Sequence, residues 1–130
     1  MAQKGRMAGS TKRRERPPLD AAKLEELALG YVGRFATTRS KLGAYLRRKL
    51  RERGWDGARE PDVEGLIERL AGRGYVDDAA YAVAKSRSLT ARGYGEGRVR
   101  QSLRAAGVGE EDGAAAREIA SAEAVDAALR

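Results

Sequence analysis

The chain has 130 residues, with 26 Lys and Arg against 19 Asp and Glu, a net charge of +7. It holds no cysteine and no histidine, which removes disulfides, thiolate metal sites, the commonest metal ligand and the usual general base at neutral pH. No apolar run approaches the ~18 residues of a membrane span, and the basic start lacks the apolar segment of a secretory signal, so a cytoplasmic protein that is not an enzyme is expected.

Residues 1–16 mix Gly, Ser, Lys and Arg without apolar period and are expected to form a disordered basic tail, closed by Pro17-Pro18. Asp20 then caps a first helix, with Leu19 and Leu24 spaced as a hydrophobic staple. Leu24, Leu27, Ala28, Tyr31, Val32 and Phe35 recur at helical spacing and make its apolar stripe. Gly30 and Gly33 weaken that helix by about 1 kcal/mol each relative to Ala, and are expected to admit a neighbouring helix. Thr37-Thr38 breaks and recaps the chain. The second helix runs from Arg39 to Arg53, with Leu42, Tyr45, Leu46 and Leu50 inward and its arginines toward solvent. Gly54 stops it and Trp55 follows as an anchor. Pro61 is expected in the first turn of a third helix, whose stripe is Val63, Leu66, Ile67 and Leu70 and whose outside carries Asp62, Glu64 and Glu68.

The stretch Gly74 to Ala82 reads as a junction. Gly74 suits a helix end that needs positive φ, Tyr75 and Val76 read as a buried plug, and Asp77 or Asp78 caps the next helix. Tyr81 is placed to pack beside Val76. A fourth helix, Asp78 to Arg92, has the poorer stripe Tyr81, Ala82, Ala84 and Leu89. After Gly93-Tyr94-Gly95 a fifth helix, Glu96 to Ala106, turns Val99, Leu103 and Ala106 inward and Arg98, Arg100 and Arg104 outward. Gly107-Val108-Gly109 breaks again, and residues 110–130 are read as a sixth helix that frays toward its end, with Ile119, Val125 and Leu129 as its large apolar groups. No alternating strand pattern occurs, so the fold class is all-α.

Charge and stop signals repeat. Residues 39–55 carry +6 and residues 85–109 carry +5, whereas 56–84 and 110–130 carry −4 each. When Gly54 is set on Gly107, Leu46 falls on Val99, Arg47 on Arg100, Leu50 on Leu103 and Arg51 on Arg104. The chain therefore reads as a basic tail, residues 1–18, followed by tandem three-helix repeats at 19–75 and 76–130. Neither copy holds ample core alone, so they are expected to stack into an elongated, curved helical array. Clustered arginine at this net charge points to a polyanion, most often nucleic acid. Tyr31, Tyr45, Trp55, Tyr75 and Tyr81 read as core, and Tyr94, between two glycines, as the exposed aromatic. Asp77 and Asp78 read as caps rather than catalytic carboxylates.

Residues 19–112 resemble the RecX family of regulatory proteins. The resemblance rests on Leu19-Asp20, Ala28-Leu29 and Tyr31, on Leu42, Leu46, Leu50 and Gly54, and above all on Leu70 with Gly74-Tyr75-Val76-Asp77-Asp78 and Tyr81-Ala82. Arg92-Gly93-Tyr94-Gly95, Arg98, Val99, Leu103 and Gly107-Val108 continue it. It implies tandem three-helix repeats and a cytoplasmic modulator that lies in the groove of the RecA–DNA filament and damps its ATPase and strand exchange, or destabilises it; a monomer is expected. Family members generally carry a third repeat, for which little chain follows Gly107. On that reading the contacts to RecA and to single- or double-stranded DNA are electrostatic. They fall on Arg39, Lys41, Arg47, Arg48, Lys49, Arg51, Arg92, Arg98, Arg100 and Arg104, because arginine meets phosphate or carboxylate with two parallel donors. No cofactor and no metal is expected. The alternative is a helix-turn-helix-like DNA-binding transcriptional regulator. Against it, Gln101 and Ser102 are all that the fifth helix offers for reading bases.

Overall fold

The computed structural model describes residues 16–130; the expected tail lies outside them but for its last three residues. Among the described residues there are six helices and no strand: α1 (Ala21–Arg34), α2 (Arg39–Arg53), α3 (Val63–Gly72), α4 (Asp78–Ala91), α5 (Glu96–Ala105) and α6 (Glu110–Ala128). Each of the first four starts on a side-chain cap that satisfies a free N–H of the first turn. Asp20 accepts from the N–H of Lys23, Thr38 from Lys41, Asp62 from Gly65 and Asp77 from Ala80. Asp62 is thus the cap of α3, and Pro61 stands just before it rather than in the first turn. Gly54, Gly74, Gly93 and Gly107 all have φ between +83° and +90° and end their helices as the sequence leads one to expect.

Two apolar clusters form. Leu19, Leu24 and Ala28 meet Leu42 and Leu46 of α2 and the full stripe Val63, Leu66, Ile67 and Leu70 of α3. Leu19 is further held by a backbone bridge to Trp55: its N–H donates to Gly54 O at 2.9 Å and its carbonyl accepts from Asp56 N–H at 2.8 Å. The second cluster joins Ala82 and Leu89 of α4 to Val99, Leu103, Ala106 and Val108 around α5, and to Ala116 of α6. Helix α6 packs along α4 and buries only small groups, Gly113, Ala116 and Ala120, of which Gly113 faces Leu103 and Val108. Its large apolar residues face outward instead: Val125 is 60% and Leu129 83% exposed.

Other expectations change at the junction. Val76 is buried in the first cluster, but Tyr75 is 54% exposed and is no plug. Tyr81 packs with the second cluster, apart from Val76. Ala84 is exposed, and the buried polar member of α4 is Ser86. Nothing lies within 4 Å of where a Cβ would stand on Gly30 or Gly33, so they admit no neighbouring helix.

The two clusters are tied where α2 begins. The buried Thr38 hydroxyl donates to Ala106 O at 2.5 Å, and the Arg39 N–H donates to Asp78 Oδ1 at 2.9 Å. Gly107 lies directly against the Ser40 side chain, where a Cβ would collide with it. Lys41 Nζ stands 5.7 Å from the centre of the Tyr81 ring.

Candidate nucleic-acid interface

Helix α2 sorts its cations onto two faces. Arg39 and Arg47 turn toward α3. Arg39 Nε lies 3.2 Å from Glu68 Oε2 and Nη2 donates to Oε1 at 3.5 Å, while Arg47 Nη2 pairs with Glu64 Oε2. Buried Gly43 makes room for this: a Cβ there would stand 2.8 Å from Arg47 Nη1 and 3.2 Å from Ile67 Cδ1. These two arginines are engaged by the acidic face of α3.

Lys41, Arg48 and Arg51 line an open groove of about 560 Å³ with Tyr31, Phe35 and Tyr45. Tyr31 and Tyr45 stack with ring centres 4.2 Å apart at 20°, and Phe35 stands 5.2 Å from Tyr31 at 49°. Phe35 caps the end of α1 in extended backbone and is half exposed, so its ring extends the pair outward. Arg48 Cζ lies 5.5 Å from the Tyr45 centre and Lys49 Nζ 5.8 Å, within reach of the ring quadrupole. Arg48 and Lys49 each also approach Glu52 at 3.5 Å, an exposed arrangement that water screens. Among the described residues Lys41 and Arg51 make no ion pair.

On the other half of the chain Arg92 and Arg98 flank Tyr94, with Cζ atoms 5.4 and 4.9 Å from its ring centre. Tyr94 is thus partly exposed, as expected, but it stands between two cations. Arg104 Nη2 reaches Glu110 Oε2 at 4.0 Å, and Arg117, nearly buried, reaches the other oxygen of Glu110 at 3.7 Å. Arg100 is exposed and makes no ion pair among the described residues. The ten basic residues singled out from the sequence therefore do not form one patch. They separate into an α3-facing pair, a groove beside α1, a clasp around Tyr94, and the Arg100–Arg104 side of α5.

Two features escaped the sequence reading. One is the exposure of Phe35, which follows the helical spacing of the stripe yet lies past the last turn of α1. The other is Arg87, which grips Glu123 with two bonds, Nε to Oε1 at 2.7 Å and Nη2 to Oε2 at 2.6 Å. Those bonds hold the Glu123 carboxyl below, and the Arg87 guanidinium above, their ordinary values. The Lys23 backbone N–H likewise holds the Asp20 carboxyl low. A concavity of about 660 Å³ lies beside Trp55, where Asp20, Asp56, Glu60 and Asp62 outnumber Arg59 and Arg69, a net acidic rim that opposes a polyanion. No cluster of three or more metal-ligating side chains occurs among the described residues, and no helix there is long and apolar enough to cross a membrane.

Residues 77–116, which span α4, α5 and the start of α6, match the family description "RecX, second three-helix domain". The chain is 35% identical to the regulatory protein RecX of Myxococcus xanthus, over 79% of this chain and 60% of that protein. It is 36% identical to the regulatory protein RecX of Deinococcus radiodurans, over 79% of this chain and 48% of that protein, and 39% identical to that of a Mycobacterium species, over 67% and 46%. The chain thus spans about half the length of these curated relatives. No solved structure gives a significant match. With that domain matched over 77–116 and the kinship to these relatives covering far more of the chain, the protein belongs to the RecX family of regulatory proteins.

Proposed function

We propose that this protein binds the RecA–DNA filament in the cytoplasm and inhibits RecA ATPase and recombinase activity. The single observation that carries the reading is membership of the RecX family. The physical means are the exposed cations of α2 and α5, which lie on helices from the two separate apolar clusters. Two tandem three-helix units, 19–75 and 76–130, with Val76 reaching back into the first core, would present these cations along the filament as a monomer. Lys41, Arg48, Arg51, Arg92, Arg98, Arg100 and Arg104 are the contacts to phosphate or to acidic protein surface, with Lys49 at the margin. Arg39 and Arg47 serve α3 first. The chemistry asked of the protein is binding alone, for which cations without a histidine, a thiolate or a metal suffice.

The direct test is RecA ATPase on single-stranded DNA at rising concentrations of this protein, with co-sedimentation of filaments at low salt. Inhibition together with co-sedimentation is expected. A protein that neither sediments with filaments nor slows hydrolysis does not have this function. A footprint on one discrete duplex operator would instead indicate a transcriptional regulator.

A further inference from the structure

We infer that the groove between α1 and α2 is a subsite for an unpaired nucleotide, with Phe35 as the stacking platform, Tyr31 behind it, and Lys41, Arg48 and Arg51 as phosphate contacts. The inference deepens the proposed function and rests on its nucleic-acid partner. Three aromatic rings already run in contact, Tyr45 stacked on Tyr31 and Phe35 tilted against Tyr31, and Phe35 is half open to water. A half-exposed phenylalanine at the end of such a row leaves apolar ring surface uncovered. A base covers it without needing a hydrogen-bond code, since every base has such a face. The three cations line the same groove, and Lys41 and Arg51 are committed to no carboxylate among the described residues. Such a pairing of ring and cation suits a single strand, whose bases are free to leave their own stack. A duplex keeps its bases stacked and can offer this groove its phosphates only. An acidic peptide would satisfy the cations but would leave the Phe35 face without a planar partner.

The probe is a labelled oligothymidylate, titrated into the full chain at low salt, beside a duplex of equal length and an abasic strand of equal length. Oligothymidylate should bind more tightly than either. Phe35→Ala should weaken the oligothymidylate complex about five- to hundredfold, the equivalent of one lost base stack, and leave duplex binding unchanged. Phe35→Trp should keep the affinity and report the strand by quenching. Phe35 is half exposed, so both variants are expected to fold, which a thermal melt checks. Equal affinity for the abasic strand, an undiminished Phe35→Ala variant, or displacement by polyglutamate more readily than by oligothymidylate would overturn the subsite. If strand binding and its Phe35 dependence hold while RecA filaments are not bound, the proposed function fails and the subsite stands. If filaments are bound but Phe35→Ala changes nothing on naked strand, the subsite alone fails.

Discussion

Gly107 combines a backbone demand with a steric one. Its φ is +83°, and its α-carbon faces the Ser40 side chain across the seam between the two apolar clusters. Gly74 has nearly the same φ, +85°, and ends its helix with the same pair of backbone bonds, with open space around it. Gly74→Ala should therefore cost only the left-handed penalty, about 1–2 kcal/mol. Gly107→Ala should cost that and a further 1–3 kcal/mol, roughly the price of an overpacked contact, read as the difference between the two urea midpoints. Ser40→Gly in the Gly107→Ala background should return part of the loss, because it removes the colliding atoms. The stop function of both glycines was legible in the sequence from their place after an amphipathic stripe. The collision was not, since Ser40 is an unremarkable helix-surface residue until α2 meets the end of α5. Acid sensitivity belongs to this scale too. Asp20 and Glu123 bind protons less readily folded than unfolded, because a backbone N–H and the Arg87 guanidinium respectively favour the charged forms. Their contribution is present at neutral pH, above the unfolded value, and is lost as pH falls through the depressed folded values. Circular dichroism on acid titration should show a loss of stability beginning in the ordinary carboxylate range. Arg87→Gln should shrink the part due to Glu123.

At the scale of elements, α2 is held at its first turn by one side chain with two duties. Thr38 accepts the Lys41 N–H as a cap and donates to the Ala106 carbonyl, and it is fully buried. Thr38→Val keeps the shape and removes both bonds. About 2–4 kcal/mol should be lost, the sum of a missing cap and an unsatisfied buried carbonyl. Thr38→Ser retains the hydroxyl and should lose far less; thermal melts of the two variants separate the polar effect from the packing effect. The sequence identified the cap, because threonine before a helical stripe has a local reason to be there. It did not identify the second duty, which comes from a carbonyl 68 residues away. In helix α6 the packed side was not legible. Its large apolar residues, Ile119, Val125 and Leu129, are exposed, and Gly113, Ala116 and Ala120 are buried. A small-residue seam carries little hydrophobic contrast, so periodicity alone does not mark it.

For the whole molecule, what matters is how many cations remain available to a polyanion. All seven basic side chains of α2 look alike in sequence. Which are engaged depends on Glu64 and Glu68, 17 and 29 positions beyond their partners, and only the folded chain brings them together. Lys41, Arg51, Arg92, Arg98 and Arg100 make no ion pair among the described residues. If those five each neutralise one phosphate of a single strand, log affinity against log salt should fall with a slope of about −3.5. That is shallower than the −4 to −5 expected, roughly, for six phosphates counted without regard to α3. Glu64→Gln with Glu68→Gln releases Arg47 and Arg39. The pairs are exposed, so stability should change by only about 1 kcal/mol or less. The salt slope should steepen by about 1.4 if the released arginines can reach the strand. An unchanged slope would mean that the α3 side of α2 faces away from the nucleic acid, and that the contact lies wholly on the side of the aromatic groove.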